Sequence, residues 1–116
     1  MDIQNGKSKG DKVLNKESIV QRKIMIALSE AGCIVIRQQS GTFYGKDGQA
    51  VRIGFPGLPD LLAVNPKGEA VFLEVKPDHK SHRRPEQIKF IEQMKSRGFR
   101  AGFVTNTTEA LEVALK

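Results

Sequence analysis

The sequence predicts a single α/β domain in which a mixed sheet is flanked by helices, and three observations carry that prediction. Apolar residues recur three or four apart over 15–31, and again over 85–97, which marks two amphipathic helices. Short β-branched and aromatic runs at 33–37, 61–64, 70–76 and 99–105 mark strands. Glycine- and proline-bearing strings separate these segments, and the order that results is helix, three or more strands, helix, strand, helix. At 116 residues the chain has room for one core, which at this length buries roughly two-thirds of the unfolded surface.

Residues 1–14 are polar and carry Lys7, Lys9 and Lys12, with too few apolar side chains to offset the entropy of ordering them. They are expected to form a mobile basic arm ahead of a domain over 15–116. The first helix starts at Asn15, a candidate N-cap, and aligns Val20, Ile24, Ala27, Leu28 and Ala31 on one stripe until Gly32 stops it. Glu17 lies three residues before Val20 and seven before Ile24, so this acid projects from the apolar face.

Strand 33–37 follows, with Cys33 read as a buried strand residue. The glycine-rich stretch 41–57 reads as a ribbon turning at Lys46-Asp47-Gly48. Segments 61–64 and 70–76 form a hairpin around the turn string Asn65-Pro66-Lys67-Gly68, and these strands are expected to pair. Pro85 suits the first turn of the second helix, which directs Ile88, Ile91 and Met94 inward and stops at Gly98. After strand 99–105, Asn106 and Glu109 resemble a capping pair that opens a last helix through Leu111 and Leu115.

Charge and composition narrow the function. Nineteen Lys+Arg against 13 Asp+Glu leave a net charge of +6, which favours a polyanionic partner. A single cysteine excludes an intramolecular disulfide. No apolar run approaches the ~20 residues that span a bilayer, and the N-terminus lacks a signal peptide's apolar core, so a cytoplasmic protein without a membrane partner is expected. Ser40-Gly41 has no histidine and acid placed for a nucleophilic relay, and no Gly-Lys-Ser/Thr string follows the glycines, which disfavours a nucleotide cofactor.

The chemistry lies in two strings. Alternation along 70–76 puts Val71, Leu73 and Val75 on one face and Phe72, Glu74 and Lys76 on the other, so Glu74 and Lys76 are neighbours. Asp60 stands at the mouth of the preceding strand, where a hairpin brings its carboxylate toward that of Glu74. Two crowded carboxylates repel unless a cation or a shared proton neutralises them. Mg²⁺, or Mn²⁺ in its place, answers that demand with oxygen ligands and retained waters, and the Val75 main-chain carbonyl offers one further ligand. Protonated Lys76 instead orients or helps deprotonate the attacking water, or offsets charge on a phosphate.

Pro59-Asp60 and Glu74-Val75-Lys76 match in order and spacing the signature of the PD-(D/E)xK nucleases. The longer string Gly57-Leu58-Pro59-Asp60-Leu61, then Leu73-Glu74-Val75-Lys76, then Gln87 opening a helix, resembles the virus-type replication-repair nuclease family, VRR-NUC. The resemblance covers about 15–116. It implies a restriction-endonuclease-like fold of αβββαβ order and a metal-dependent endodeoxyribonuclease in an intracellular protein of phage or bacterial type. By the same resemblance Glu17 completes the metal site, directly or through water, and Gln87 supports catalysis near the lysine. Compact members are similar to Holliday-junction resolvases and often pair as homodimers, which implies branched DNA as the substrate.

Lys80, Arg83 and Arg84 lie in the basic stretch between Lys76 and the second helix, where phosphate contacts would position a backbone. His79 and His82, three apart in a loop, are poor zinc ligands and better read as aids to phosphate contact. Phe43 and Tyr44 on the ribbon suit base stacking, a partner subunit or the core equally. Two alternatives stand beside a junction nuclease: a catalytically silent DNA-binding module of the same fold, and a nuclease or nickase acting on flaps or duplex.

Overall fold

The computed structural model describes residues 15–38, 41–53 and 57–116; the arm expected over 1–14 lies outside them. Helix α1 (Lys16–Glu30) opens where Asn15 Oδ1 accepts from the Ser18 amide at 2.8 Å, which satisfies one of the orphan donors of the first turn. Strands β1 (Ile34–Arg37), β2 (Gly41–Tyr44), β3 (Ala50–Ile53), β4 (Leu61–Val64) and β5 (Ala70–Val75) follow, then helix α2 (Pro85–Ser96), strand β6 (Arg100–Val104) and helix α3 (Thr107–Leu115).

Four strands form a sheet in the order β1-β4-β5-β6. The first two pairings are antiparallel, and β5 pairs with β6 in parallel through the α2 crossover, so the sheet is mixed as expected. The hairpin is in place, with Leu61 opposite Leu73 and Val64 opposite Ala70. Strands β2 and β3 pair only with each other, as an antiparallel ribbon inserted between β1 and β4.

Alternation along β5 sends Val71, Leu73 and Val75 into a core with Ile24, Leu28, Leu61, Ala63, Val104, Ala110 and Ala114, under α1 and α3. Each fully buried Val, Leu or Ile side chain there contributes about 1.5–3 kcal/mol. On the opposite face Phe72 meets Phe90 and Phe99 edge-on, both at 5.7 Å between centroids, beneath α2. Asn65 ties the β4–β5 turn to the core: its Nδ2 donates to the Ala114 carbonyl and to Glu69, while its Oδ1 accepts from the Lys67 and Glu69 amides.

Packing corrects several details. Ile88 is exposed, because α2 sits chiefly over β5 and β6 and meets them through Gln87, Phe90 and Ile91. On α3 the fully buried residues are Ala110 and Ala114, whereas Leu111 and Leu115 are half-buried. Close approach to the sheet requires small side chains there: even Gly102 beneath α3 leaves only 3.3 Å between a notional Cβ and Val113. Cys33 is buried but precedes β1 rather than belonging to it. Among the described residues no helix is long and apolar enough to cross a membrane.

Candidate active site

The two strings converge at one end of the sheet. Asp60 lies just before β4, and its carbonyl accepts from the Gln38 amide at 2.9 Å, which ties it to the end of β1. Its side-chain Oδ2 accepts from the Val75 amide at 2.9 Å, which fixes the carboxylate at the end of β5. The preceding turn explains the glycine of the motif. Gly57 holds φ +90°, and a Cβ there would collide with the Glu86 backbone, so only glycine lets this loop press against the first turn of α2. Pro59 is fully buried beside it.

Glu74 and Lys76 share the face expected from alternation, and Gln87 joins them. The Gln87 side chain, 3 % exposed, donates from Nε2 to Glu74 Oε2 at 2.9 Å. Its Oε1 accepts from Lys76 Nζ and from the Arg84 amide, each at 3.0 Å. Lys76 Nζ stands 3.9 Å from Glu74 Oε2, so the amide rather than the ion pair sets the position of the lysine. That arrangement serves two ends, because the same amide bond caps α2.

Electrostatics make this a strained cluster of acids. Burial, then the Asp60 charge and then Glu17, push Glu74 up to about 8, against the opposing pull of Lys76. Burial also raises Asp60, although the Val75 amide, Lys76 and Arg37 pull it back. Glu17 is half-buried at the start of α1, and burial with the Asp60 charge holds its carboxyl above the usual range, against Lys76 and Arg84. Three acids thus draw on Lys76, with Arg37 adding to it at Asp60 and Arg84 at Glu17.

Glu74 Oε1 is buried and has no hydrogen-bond partner among the described residues. What lies within its reach is the Asp60 carboxylate, another acceptor. An oxygen so placed is satisfied by a proton held between the two acids or by a hard cation, so the donor set fits a divalent ion. Among the described residues no three His, Cys, Asp or Glu side chains are grouped so as to hold a metal ion, so an ion here would rest first on the Asp60–Glu74 pair.

The basic stretch divides. Lys80 and His82 are exposed. The Arg84 side chain is exposed beside Glu86 at 4.0 Å. Arg83 is held instead: its guanidinium lies 4.2 Å above the Phe103 ring, and Phe103 is the β6 partner of Glu74. No spacing in the sequence signals that pairing of residues 20 apart. His79 does not stand free for phosphate. Its Nε2 lies 2.6 Å from Glu109 Oε2 and 3.2 Å from Thr105 Oγ1. The other oxygen of Glu109 takes the Thr105 amide at 2.7 Å, so this acid pins the loop instead of completing the capping pair with Asn106.

No family model and no curated protein matches the chain. Among solved structures, one described as "VRR_NUC domain" superimposes with a TM-score of 0.64 at 25 % sequence identity, over 86 % of this chain and 95 % of that one.

Proposed function

From the premise that this chain is a VRR-NUC family domain, and so of nuclease type, we propose that it is a Mg²⁺- or Mn²⁺-dependent endodeoxyribonuclease acting on branched DNA. The observation that carries this reading is the buried Asp60–Glu74 pair, with an orphaned carboxylate oxygen and Lys76 on the same strand face.

Asp60 and Glu74 would hold the ion, the Val75 carbonyl would add a main-chain ligand, and Glu17 would bind through water. The chemistry such an ion supplies is a more acidic bound water and neutralisation of charge on the scissile phosphate. The protein contributes orientation. Val75 locks Asp60 in place through its amide, and Gln87 holds both Glu74 and Lys76. Lys76 stands ready to orient the attacking water and to stabilise charge that develops on the phosphate. Lys80, His82, Arg83 and Arg84 would take neighbouring phosphates. A junction requires two symmetric cuts, and a homodimer with sites related by a twofold axis would make them.

The test is cleavage of an end-labelled four-way junction with Mg²⁺, with Mn²⁺ and with EDTA. Metal-dependent, paired incisions near the branch are expected, lost in Asp60→Asn while binding to the junction persists. Undiminished cutting by Asp60→Asn would overturn the assignment of the site. Metal-dependent cutting of linear duplex as fast as of the junction would overturn the choice of substrate. A light-scattering mass of one chain, in a preparation that cuts, would remove the dimer.

A further inference from the structure

The ribbon β2–β3 is the part of the fold that the catalytic arrangement leaves unused. Its register places Phe43 opposite Val51 and Tyr44 opposite Ala50, so Phe43 and Tyr44 point to opposite faces. Each face presents exposed side chains among the described residues: Phe43 is 47 %, Val51 48 % and Tyr44 74 % exposed. A ribbon that used these side chains for the core would bury one of its faces. A stable protein interface takes about 800 Å² from each partner, and the three exposed apolar side chains described, divided between two faces of a ribbon of two four-residue strands, are poorly arranged to supply it.

The position of the ribbon points elsewhere. It interrupts the β1–β4 pair at the end where Gln38 bonds to the Asp60 carbonyl. Gly41 is three residues beyond Gln38, which keeps the base of the ribbon within ~11 Å of it by covalent reach. Tyr44 is three residues farther along, another ~10 Å. A base held at Tyr44 would lie within ~21 Å of Gln38, which is bonded to Asp60, a span of a few nucleotides of an extended strand. Lys46 follows Tyr44 into the turn, Arg37 stands at the base near Asp60, and the chain as a whole carries +6. These are the parts of a single-strand platform: cationic groups for the backbone and an open aromatic ring for a base, whose stacking tolerates any sequence.

We propose that Tyr44 is a base-stacking residue that receives an unpaired nucleotide a few nucleotides from the cleavage site, so that the ribbon selects DNA with unstacked bases. The proposal rests on the nuclease reading above and adds to it the feature of the substrate that is recognised.

The sequence provides its own probe. Tyr44 is the single tyrosine and the chain has no tryptophan, so tyrosine emission reports this residue alone. The full chain in EDTA is titrated with a duplex bearing a flap of unpaired thymidines, and with the matched flush duplex. Binding is followed in parallel by the anisotropy of an end label on the DNA. The flap should quench Tyr44 saturably along the anisotropy curve, and the flush duplex should quench it far less. Tyr44→Ala should lose about tenfold or more in flap affinity, as expected for one base–aromatic stack, with its melting temperature unchanged, and Tyr44→Trp should restore binding. Unchanged emission at saturating flap would overturn the proposal while leaving the nuclease reading intact. Emission that shifts with protein concentration alone would overturn it in favour of a second copy on the ribbon. Anisotropy that stays flat with both labelled DNAs would overturn the nuclease reading itself.

Discussion

Glu74→Gln should make the metal-free protein more stable in alkali and remove most of its pH dependence. In the fold this carboxyl is pushed up to about 8, from an ordinary 4.5, by burial and by the Asp60 charge. Between those two values the folded chain keeps a proton that the unfolded chain has released. The stabilising contribution is therefore complete below about pH 4.5 and is lost as pH rises through about 8. At about 1.4 kcal/mol per pH unit, the gap from 4.5 to about 8 sets a ceiling of about 5 kcal/mol on the alkaline loss. Asp60 lies within hydrogen-bonding reach and its own carboxyl is also raised by burial, so the two acids compete for one proton and a single substitution should recover about 2–3 kcal/mol.

Glutamine keeps the shape, can still accept from Gln87 Nε2, and turns the orphaned oxygen into an amide that donates to Asp60. For a domain of this size, 1 kcal/mol is about 4–8 °C in Tm, so at pH 9 in EDTA the variant should melt roughly 10 °C or more above the parent. At pH 5 the two should nearly coincide. Thermal denaturation followed by circular dichroism from pH 5 to 9 reads both values. Parallel Tm–pH curves for the two proteins, or a variant less stable than the parent at pH 9, would refute the account of Glu74 as a carboxyl buried at a cost. Mg²⁺ added at pH 9 should raise the Tm of the parent and leave Glu74→Gln nearly unmoved, because a ligand bound only by the folded state stabilises it.

Gln87→Leu fits the space but leaves Lys76 Nζ, Glu74 Oε2 and the Arg84 amide without their partner; it should cost about 2–4 kcal/mol in urea denaturation and lower kcat more than it raises KM. The conservative Gln87→Glu would place a fourth acid in the cluster and should lower the Tm further at pH 8 than at pH 5. Gly57→Ala meets both the left-handed φ of +90° and the Glu86 backbone, and should destabilise the fold by about 2 kcal/mol or more while displacing Asp60; full activity at the parental Tm would refute the close packing of this loop on α2. Asn65→Ala removes the hub between the β4–β5 turn and α3, an expected loss of about 2–3 kcal/mol on chemical denaturation with kcat unchanged in what remains folded.

Local chemistry made much of this molecule readable in one dimension. The Asn15 and Asn106 caps, the Asn65-Pro66-Lys67-Gly68 turn and the strand face shared by Glu74 and Lys76 depend on neighbours within a few residues, and they stand where spacing puts them. So does the inward aim of Gln87, since a helical stripe is a local property. Relations between segments were not readable. That Val75 lends its amide to Asp60, that Gln87 bonds to both members of the Glu74-Lys76 pair and that Arg83 lies on Phe103 depend on register and on the angle at which α2 crosses the sheet. The same angle exposes Ile88 where its own periodicity would bury it. The withdrawal of His79 to Glu109, across 30 positions, left no mark in either neighbourhood.

By itself, then, the sequence determined the elements, their order and the residue types that gather at the end of β5, because periodicity and capping act over a single turn or pleat. Only the tertiary structure decided that Glu74 is buried against Asp60, with one of its carboxylate oxygens lacking a partner among the described residues. Desolvation and Coulomb repulsion depend on distance through space, and it is packing that sets those distances.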